Sequence, residues 1–250
     1  MKQFKKEPQL YGDDFFKGQN SAARTSADVI VPLVMDAVGP KSVVDVGCGR
    51  GAWTLAFSSA GCQTASIDGP WTDMSELTAA GLLTHRMDLS QPIQLDETFD
   101  LAVCLEVAEH LDRASANALV SSLCKLAPVV LFSAAFPGQR GTHHVNEQLP
   151  SWWVDLFAQC DRVPHDLVRP RVWNDPTVAY WYAQNTLLFV PRDHPLAAYP
   201  PGITDVVHPR MYRVAQNRLT SVRDVARELP QGMFRTAKRR VAAAFAKRTF

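Results

Sequence analysis

Val43-Val44-Asp45-Val46-Gly47-Cys48-Gly49-Arg50-Gly51-Ala52-Trp53 is the stretch on which the reading of this chain turns. Ser42–Val46 is short, apolar and rich in β-branched residues, as a buried strand requires. It runs without a linker into three alternating glycines, Gly47, Gly49 and Gly51, and then into a helical pattern from Ala52 to Ala60. Glycines at such a junction let the chain turn sharply and let a ligand approach the backbone, which a β-carbon would block. A dinucleotide fingerprint would be spaced G-x-G-x-x-G; here the spacing is Asp-x-Gly-x-Gly-x-Gly, one residue tighter. An acid inside the strand end suits a cationic or amino-bearing ligand better than a pyrophosphate.

Outward from this turn, apolar β-branched runs alternate with helical patterns, which predicts a parallel α/β sheet with crossover helices. Ser26–Val38 reads as an amphipathic helix before the turn, and Gly61 as the C-terminal cap of the helix after it. Further strands are expected at Gln63–Ile67, Leu83–Met87, Phe99–Leu105 and Val129–Ala134. A helix is expected at Ala114–Leu126, and another at Ser151–Cys160 with Ser151 as its N-cap. Leu167–Trp173 and Ala183–Val190 are the last strand candidates. In an open parallel sheet, ligands sit beyond the carboxyl ends of the strands. Asp68-Gly69 follows the second strand, where the carboxylate can take both hydroxyls of a ribose. Asp88-Leu89 follows the third, where an acid can accept from an adenine amino group.

The glycine turn and these acids resemble the class I S-adenosylmethionine-dependent methyltransferases, over roughly residues 21–191. The resemblance implies a Rossmann-like, doubly wound sheet of seven strands, the last antiparallel, with S-adenosylmethionine as cofactor. By the same resemblance Asp45, Gly47, Cys48, Gly49, Gly51 and Trp53 would hold the methionine part of the donor. Asp68 and Gly69 would take the ribose, and Asp88 and Leu89 the adenine. The segment Phe99-Asp100-Leu101-Ala102-Val103-Cys104-Leu105-Glu106-Val107-Ala108-Glu109-His110-Leu111 looks like the family's fourth-strand motif, bringing Leu105 and Glu106 beside the methyl donor. Tyr11, Phe15, Phe16 and Gln19 are similar to the family's N-terminal lid.

Methyl transfer from a sulfonium is an in-line displacement, so a hydroxyl acceptor needs alignment and a base. Gly138–Gln148, after the fifth strand, supplies His143 and His144 together with Asn146, Glu147 and Gln148. Histidine titrates near neutral pH and suits general-base work. Neighbours on an extended loop point opposite ways, so one histidine faces the acceptor and the other supports. His144 is taken as the base, with Glu106, Glu109 and Glu147 as orienters and His143 as the supporting residue. The same carboxylates and histidines could hold a hard divalent cation such as Mg2+. Trp152, Trp153, Trp173, Tyr180, Trp181 and Tyr182 would wall a sugar ring or a flat aromatic acceptor, and the substrate-binding candidates are Trp152, Trp153, Tyr180 and Tyr182 with Asn146, Glu147 and Gln148.

No Asn/Asp-Pro-Pro-aromatic tetrapeptide follows the fourth strand, and no Pro-Cys dipeptide occurs, unlike the amino-methylating and cytosine-methylating patterns. The loop and its flanks resemble a bacterial subgroup that modifies saccharides and natural products, and are similar to mycobacterial enzymes that O-methylate mannose polysaccharides. The expected function is therefore O-methylation of a saccharide hydroxyl, with an aromatic or other natural-product acceptor as the alternative.

The composition of the 250 residues, 46% hydrophobic and 20% charged, is ordinary for a globular chain. The net charge of +1 conceals an asymmetry. Residues 1–204 hold 15 Lys+Arg against 22 Asp+Glu, and residues 205–250 hold 11 against 3. The expected domains are a methyltransferase domain over 1–191 and a proline-rich connector with a basic helical extension over 192–250. Helices are expected there at Tyr212–Leu229 and Met233–Lys247. A nucleic-acid-binding protein using the basic arm is the reading from another class, but the arm interleaves few aromatics. An anionic membrane surface or a homodimer contact are the arm's other roles. No apolar run reaches transmembrane length and no signal-peptide core opens the chain. The five cysteines are widely spaced without a C-x-x-C pair, which fits a reduced cytoplasm.

Overall fold

The computed structural model describes residues 13–198 and 203–220. The chain divides into two compact units after His208. In the first unit, helix α1 (Asp13–Val38) precedes strand β1 (Ser42–Val46), and α2 (Ala52–Ser59) follows the glycine turn. Then come β2 (Gln63–Asp68), α3 (Ser75–Ala79), β3 (Leu83–Arg86) and β4 (Leu101–Leu105). A 3-10 turn at Ala108–His110, α4 (Ala116–Leu126) and β5 (Val129–Ser133) complete the parallel part. After a long loop the chain forms α5 (Pro150–Ala158), β6 (Arg162–His165), α6 (Arg169–Val172), α7 (Tyr180–Asn185) and β7 (Leu187–Pro191).

These strands form one seven-stranded sheet in the order β3-β2-β1-β4-β5-β7-β6. The strands β1 to β5 run parallel, and β7 inserts antiparallel between β5 and β6. The sheet matches the expected seven strands with an antiparallel final strand. Both faces are covered, as a parallel sheet demands. Val44, Val46, Ala102, Cys104, Val130 and Phe132 pack on one face with α4 and α5. Val43, Leu101, Val103 and Leu131 pack on the other with α1, α2 and α7. Cys104 is fully buried and its thiol is pushed up by burial, so it is a core residue rather than a nucleophile.

Phe157 carries much of the first core. It is fully buried and stacks on Phe189 with ring centroids 3.8 Å apart. Phe157→Ala is expected to cost about 3–5 kcal/mol, from lost transfer energy plus the cavity left behind. Urea unfolding should show this as a lowered midpoint at unchanged slope.

Several local expectations are corrected. Leu167–Trp173 is not a strand: the edge strand is β6, and α6 lies where the strand was expected. Pro164 within β6 is tolerated because an edge strand needs no second ladder of N–H donors. The helix at 151 is capped by Leu149 with Pro150 in its first turn, while Ser151 gives its N–H and hydroxyl to Asp205. Gly61 does sit left-handed just beyond α2, as a C-terminal glycine should.

The first unit also extends past residue 191, because the following segment is tied to it. Arg169 donates to the carbonyls of Ile203 and Thr204, and the His208 N–H donates to Gln184. In the second unit, helix α8 (Pro209–Thr220) is described. The helix expected at 233–247 lies outside the described residues, as does Tyr11 of the expected lid.

Candidate active site

A cavity of about 250 Å³ opens at the carboxyl edge of the sheet, against the glycine turn. Its floor is Gly47, Cys48 and Gly49 with Trp53 from α2. Gly47 has φ +80°, and a β-carbon there would run into the Val107 side chain. The turn is thus glycine for two reasons, conformation and a crowded neighbour.

The wall beyond β4 holds Leu105, Glu106, Glu109 and His110. Glu106 has φ 56°, a left-handed conformation that costs a non-glycine residue about 1–3 kcal/mol. The backbone is held there by Ser133, whose carbonyl and hydroxyl both accept the Glu106 N–H, at 3.0 and 3.1 Å. The strained turn points the carboxylate into a polar cage. Gln139 donates to one oxygen at 2.7 Å and Asn185 to the other at 3.1 Å. Burial pushes the Glu106 carboxyl up, and these hydrogen bonds offset part of the shift.

Glu109 is fully buried and neither of its carboxyl oxygens has a hydrogen bond of good geometry. Burial raises its carboxyl well above the ordinary range and the neighbouring Glu106 adds to the shift, while the nearby backbone N–H groups of Glu109 and Ala135 pull it partly back. The Glu109 carbonyl accepts from the N–H groups of Val145 and Asn146, which pins the histidine loop to the wall.

The facing wall is that loop, with Gln139, Arg140, Gly141 and His144. His144 Nδ1 lies 2.9 Å from Glu147 Oε1. A carboxylate only accepts, so a neutral His144 carries its proton on Nδ1 and its lone pair on Nε2. That Nε2 lies 4.0 Å from Glu109 Oε1. Glu147 also accepts the N–H groups of Gly138 and Arg140. Burial pushes the Glu147 carboxyl up, but these three donors outweigh it and leave it below its ordinary value. At Gly141 a β-carbon would collide with the His144 ring, so a glycine is needed for the ring to lie where it does. Tyr180, Trp181 and Tyr182 of α7 close the cavity, Tyr182 edge-on to Trp53 at 5.1 Å.

Of the residues singled out in the sequence, the structure brings Gly47, Cys48, Gly49, Trp53, Leu105, Glu106, Glu109, His144, Tyr180 and Tyr182 to one cavity. Glu147 stands directly behind it. Asp45 is not on the cavity wall. It is buried, and it takes the N–H and hydroxyl of Thr54, so it fastens the start of α2 to the end of β1. Gly51 lies off the wall too, packed over Leu77. Asp68 lies beneath the turn, accepting from Gly49 N–H at 2.7 Å, Gly69 N–H at 2.6 Å and the Thr72 hydroxyl at 2.8 Å.

Asp88 is exposed and closes a small turn onto Ser90, while Leu89 belongs to the core. His143 is exposed, away from the cavity wall. Asn146 and Gln148 bond each other instead of facing the cavity. Trp152 and Trp153 also leave the wall: Trp153 packs on Phe132 in the core, and Arg113 lies over the Trp152 ring. Gln139, within the candidate loop, and Asn185, beside the aromatic run, hold Glu106, a role that the sequence does not assign to either. The signal available was a pair of amides, Gln184-Asn185, at the mouth of an apolar run, where amides need buried partners.

A family model described as a methyltransferase domain matches residues 21–170. The chain belongs to this methyltransferase domain family. Two curated relatives are ubiquinone biosynthesis O-methyltransferases. That of Stutzerimonas stutzeri is 33% identical over 101 residues, covering 37% of this chain and 44% of its own length. That of Pasteurella multocida is 26% identical over 135 residues, covering 47% and 52%. The chain thus spans about half the length of the curated relatives it matches.

Among solved structures, a magnesium protoporphyrin IX methyltransferase from Synechocystis PCC 6803 with bound SAH is similar, with TM-score 0.54 and 20% identity, covering 73% of this chain and 91% of its own. A sugar N-methyltransferase from Streptoalloteichus sp ATCC 53650 is similar at TM-score 0.55 and 16% identity, covering 72% and 92%. These likenesses establish the fold of this methyltransferase domain. Among its described residues no helix is long and apolar enough to cross a membrane.

Proposed function

We propose that this domain transfers the methyl group of S-adenosylmethionine to a hydroxyl of a small molecule. The carrying observation is that the glycine turn and the Glu109–His144–Glu147 group line or back one cavity. The donor lies over the glycine turn, its ribose on Asp68 and its methyl group toward Glu106. The acceptor enters between the histidine loop and α7. Its hydroxyl proton passes to His144 Nε2, and an oxygen lone pair forms the new O–CH3 bond. The C–S bond breaks with its electron pair staying on sulfur, leaving S-adenosylhomocysteine.

Glu147 supports this by fixing the tautomer that keeps Nε2 free to accept. Trp53 and Tyr180–Tyr182 offer aromatic faces with polar edges, which suits a saccharide. A second acceptor, an aromatic ring bearing hydroxyls, is favoured by the names of the curated relatives. The basic arm is not needed for either reaction, and the part of the expected 192–250 domain that follows His208 is read as attachment to another surface or a second copy.

The test is calorimetric binding of S-adenosylhomocysteine, followed by its release from S-adenosylmethionine with a catechol and with a methyl mannoside as acceptors. Asp68→Ala is expected to weaken S-adenosylhomocysteine binding about tenfold to hundredfold, the value of one or two charge-assisted hydrogen bonds. Asp68→Asn keeps the shape and reports the charge alone. No binding by the wild type would remove the donor; binding with no release on either hydroxyl acceptor would remove O-methylation of both classes.

A further inference from the structure

We propose that Glu109, His110 and His144 form a divalent metal site at the acceptor end of the cavity. One ligand atom from each, a carboxylate oxygen and two imidazole nitrogens, lies within 4.8 Å of the others. Ligand atoms at about 2.1 Å from one ion stand about 3.0–3.4 Å apart in a facial or tetrahedral set, so the site closes on an ion with side-chain movements of about 1 Å. The three residues come from two segments, the 3-10 turn after β4 and the histidine loop. Those segments are fastened together by the Glu109 carbonyl with the N–H groups of Val145 and Asn146.

Two independent observations point to an ion. The first is Glu109 itself, whose two carboxyl oxygens are buried on the cavity wall with no hydrogen bond of good geometry, only the nearby backbone N–H groups of Glu109 and Ala135. A buried carboxyl group is either held protonated or, as a carboxylate, paired, hydrogen-bonded or bound to a metal, and Glu106 close by brings a second carboxyl group to the same wall.

The second is the support behind His144. A metal-bound histidine typically gives its other ring N–H to a carboxylate, which fixes the tautomer and raises the basicity of the ligating nitrogen. His144 Nδ1 meets Glu147 Oε1 at 2.9 Å, Glu147 is itself held by two backbone N–H groups, and Nε2 is left toward Glu109. The His110 ring stands edge-on to the His144 ring at 4.9 Å, bringing a second imidazole to the same point.

Two imidazoles and one carboxylate form the donor set of open facial sites. Imidazole favours a transition ion such as Mn2+ over Mg2+, which prefers an all-oxygen shell. Three protein ligands leave further positions for the acceptor, and an acceptor with neighbouring hydroxyls would chelate the ion through both. This deepens, and rests on, the hydroxyl-methylation reading. With the ion bound, His144 Nε2 is a ligand, and the hydroxyl proton is lost to water because the cation lowers its pKa. The resulting oxyanion forms the O–CH3 bond, and the C–S bond breaks onto sulfur as before.

The site is tested with the full chain stripped by a chelator and titrated with Mn2+ alone. Electron paramagnetic resonance would follow the loss of the free-ion signal, and S-adenosylhomocysteine binding would be measured on the same samples. One saturable Mn2+ per chain is expected. Glu109→Gln should weaken Mn2+ binding at least 100-fold, and Glu147→Gln about 10–100-fold through the second shell. Both should change S-adenosylhomocysteine affinity by less than about threefold. Turnover should fall at least 100-fold on chelation and return with Mn2+. No saturable Mn2+ binding by a chain that still binds S-adenosylhomocysteine would overturn the site and leave Glu109 as a buried protonated acid. Full turnover in chelator would overturn it while sparing the methyl-transfer reading. Mn2+ binding without any S-adenosylhomocysteine binding would keep the site and sink that reading instead.

Discussion

His144→Ala is expected to lower turnover of whichever hydroxyl acceptor the wild type accepts by about 10²–10⁴-fold, the usual span for a lost acid–base group. S-adenosylhomocysteine affinity should change by less than about threefold. The split follows from where the ring lies. His144 is on the loop wall of the cavity, whereas the glycine turn follows β1 and Asp68 ends β2. The side chain is pinned by Glu147 and given its space by Gly141, so the deletion removes a placed nitrogen rather than a mobile one. An unchanged rate would take His144 out of the reaction, whether as base or as ligand. The two roles separate on metal content: a base can be lost without losing Mn2+, and a ligand cannot.

Gly141→Ala offers a milder form of the same experiment. Its β-carbon would enter the ring's volume, so it moves His144 without removing the imidazole. Turnover should fall while S-adenosylhomocysteine affinity stays within about threefold. A variant with wild-type turnover would mean that the ring tolerates displacement.

The parts of this fold that could be read in the sequence are those set by near neighbours. The glycine turn announces itself because a strand, three glycines and a helix follow one another within eleven residues. The valine runs likewise mark β1 and β5, since strands buried on both faces need continuous apolar residues. What the sequence hides is direction. The resemblance puts Asp45 against the donor, but its carboxylate accepts from Thr54 of α2, whose hydroxyl also meets Ser66. Trp152 and Trp153 follow the histidine loop directly, yet the face of α5 that carries Trp153 is the one buried on Phe132. Conversely, Asn185 reaches Glu106 from 79 residues away, a contact that no local pattern encodes. The left-handed turn at Glu106 is equally invisible, since glutamate has no preference for it. Edge strand β6, with a proline and polar ends, lacks the apolar run that identifies the others.

Asp45 leads to the second large effect, on stability and its dependence on pH. The carboxyl is fully buried, and burial is the main reason its pKa rises to about 7. The hydrogen bond from the Thr54 hydroxyl lowers it, the nearby Asp68 raises it, and the Thr54 N–H lowers it again. In the unfolded chain the same group titrates near 3.8. Between these values the folded state holds a proton that the unfolded state has released, so stability falls as pH rises. Asp45 therefore contributes stability that is fully present below pH 4 and is lost as pH rises through about 7.

Between pH 5 and pH 8 the loss from this one group is about 3 kcal/mol, at 1.36 kcal/mol per unit. Asp45→Asn keeps an oxygen acceptor for Thr54 and removes the titration. Measured by urea unfolding, the wild type minus Asp45→Asn difference should become about 3 kcal/mol less favourable to the wild type across that window. Glu106 and Glu109 titrate in both proteins and cancel from the difference. A difference that stays flat from pH 5 to pH 8 would mean that Asp45 is ionised throughout, balanced by the α2 N-terminus. In that case the start of α2 would be held by a charge, and Thr54→Ala would be the more damaging change.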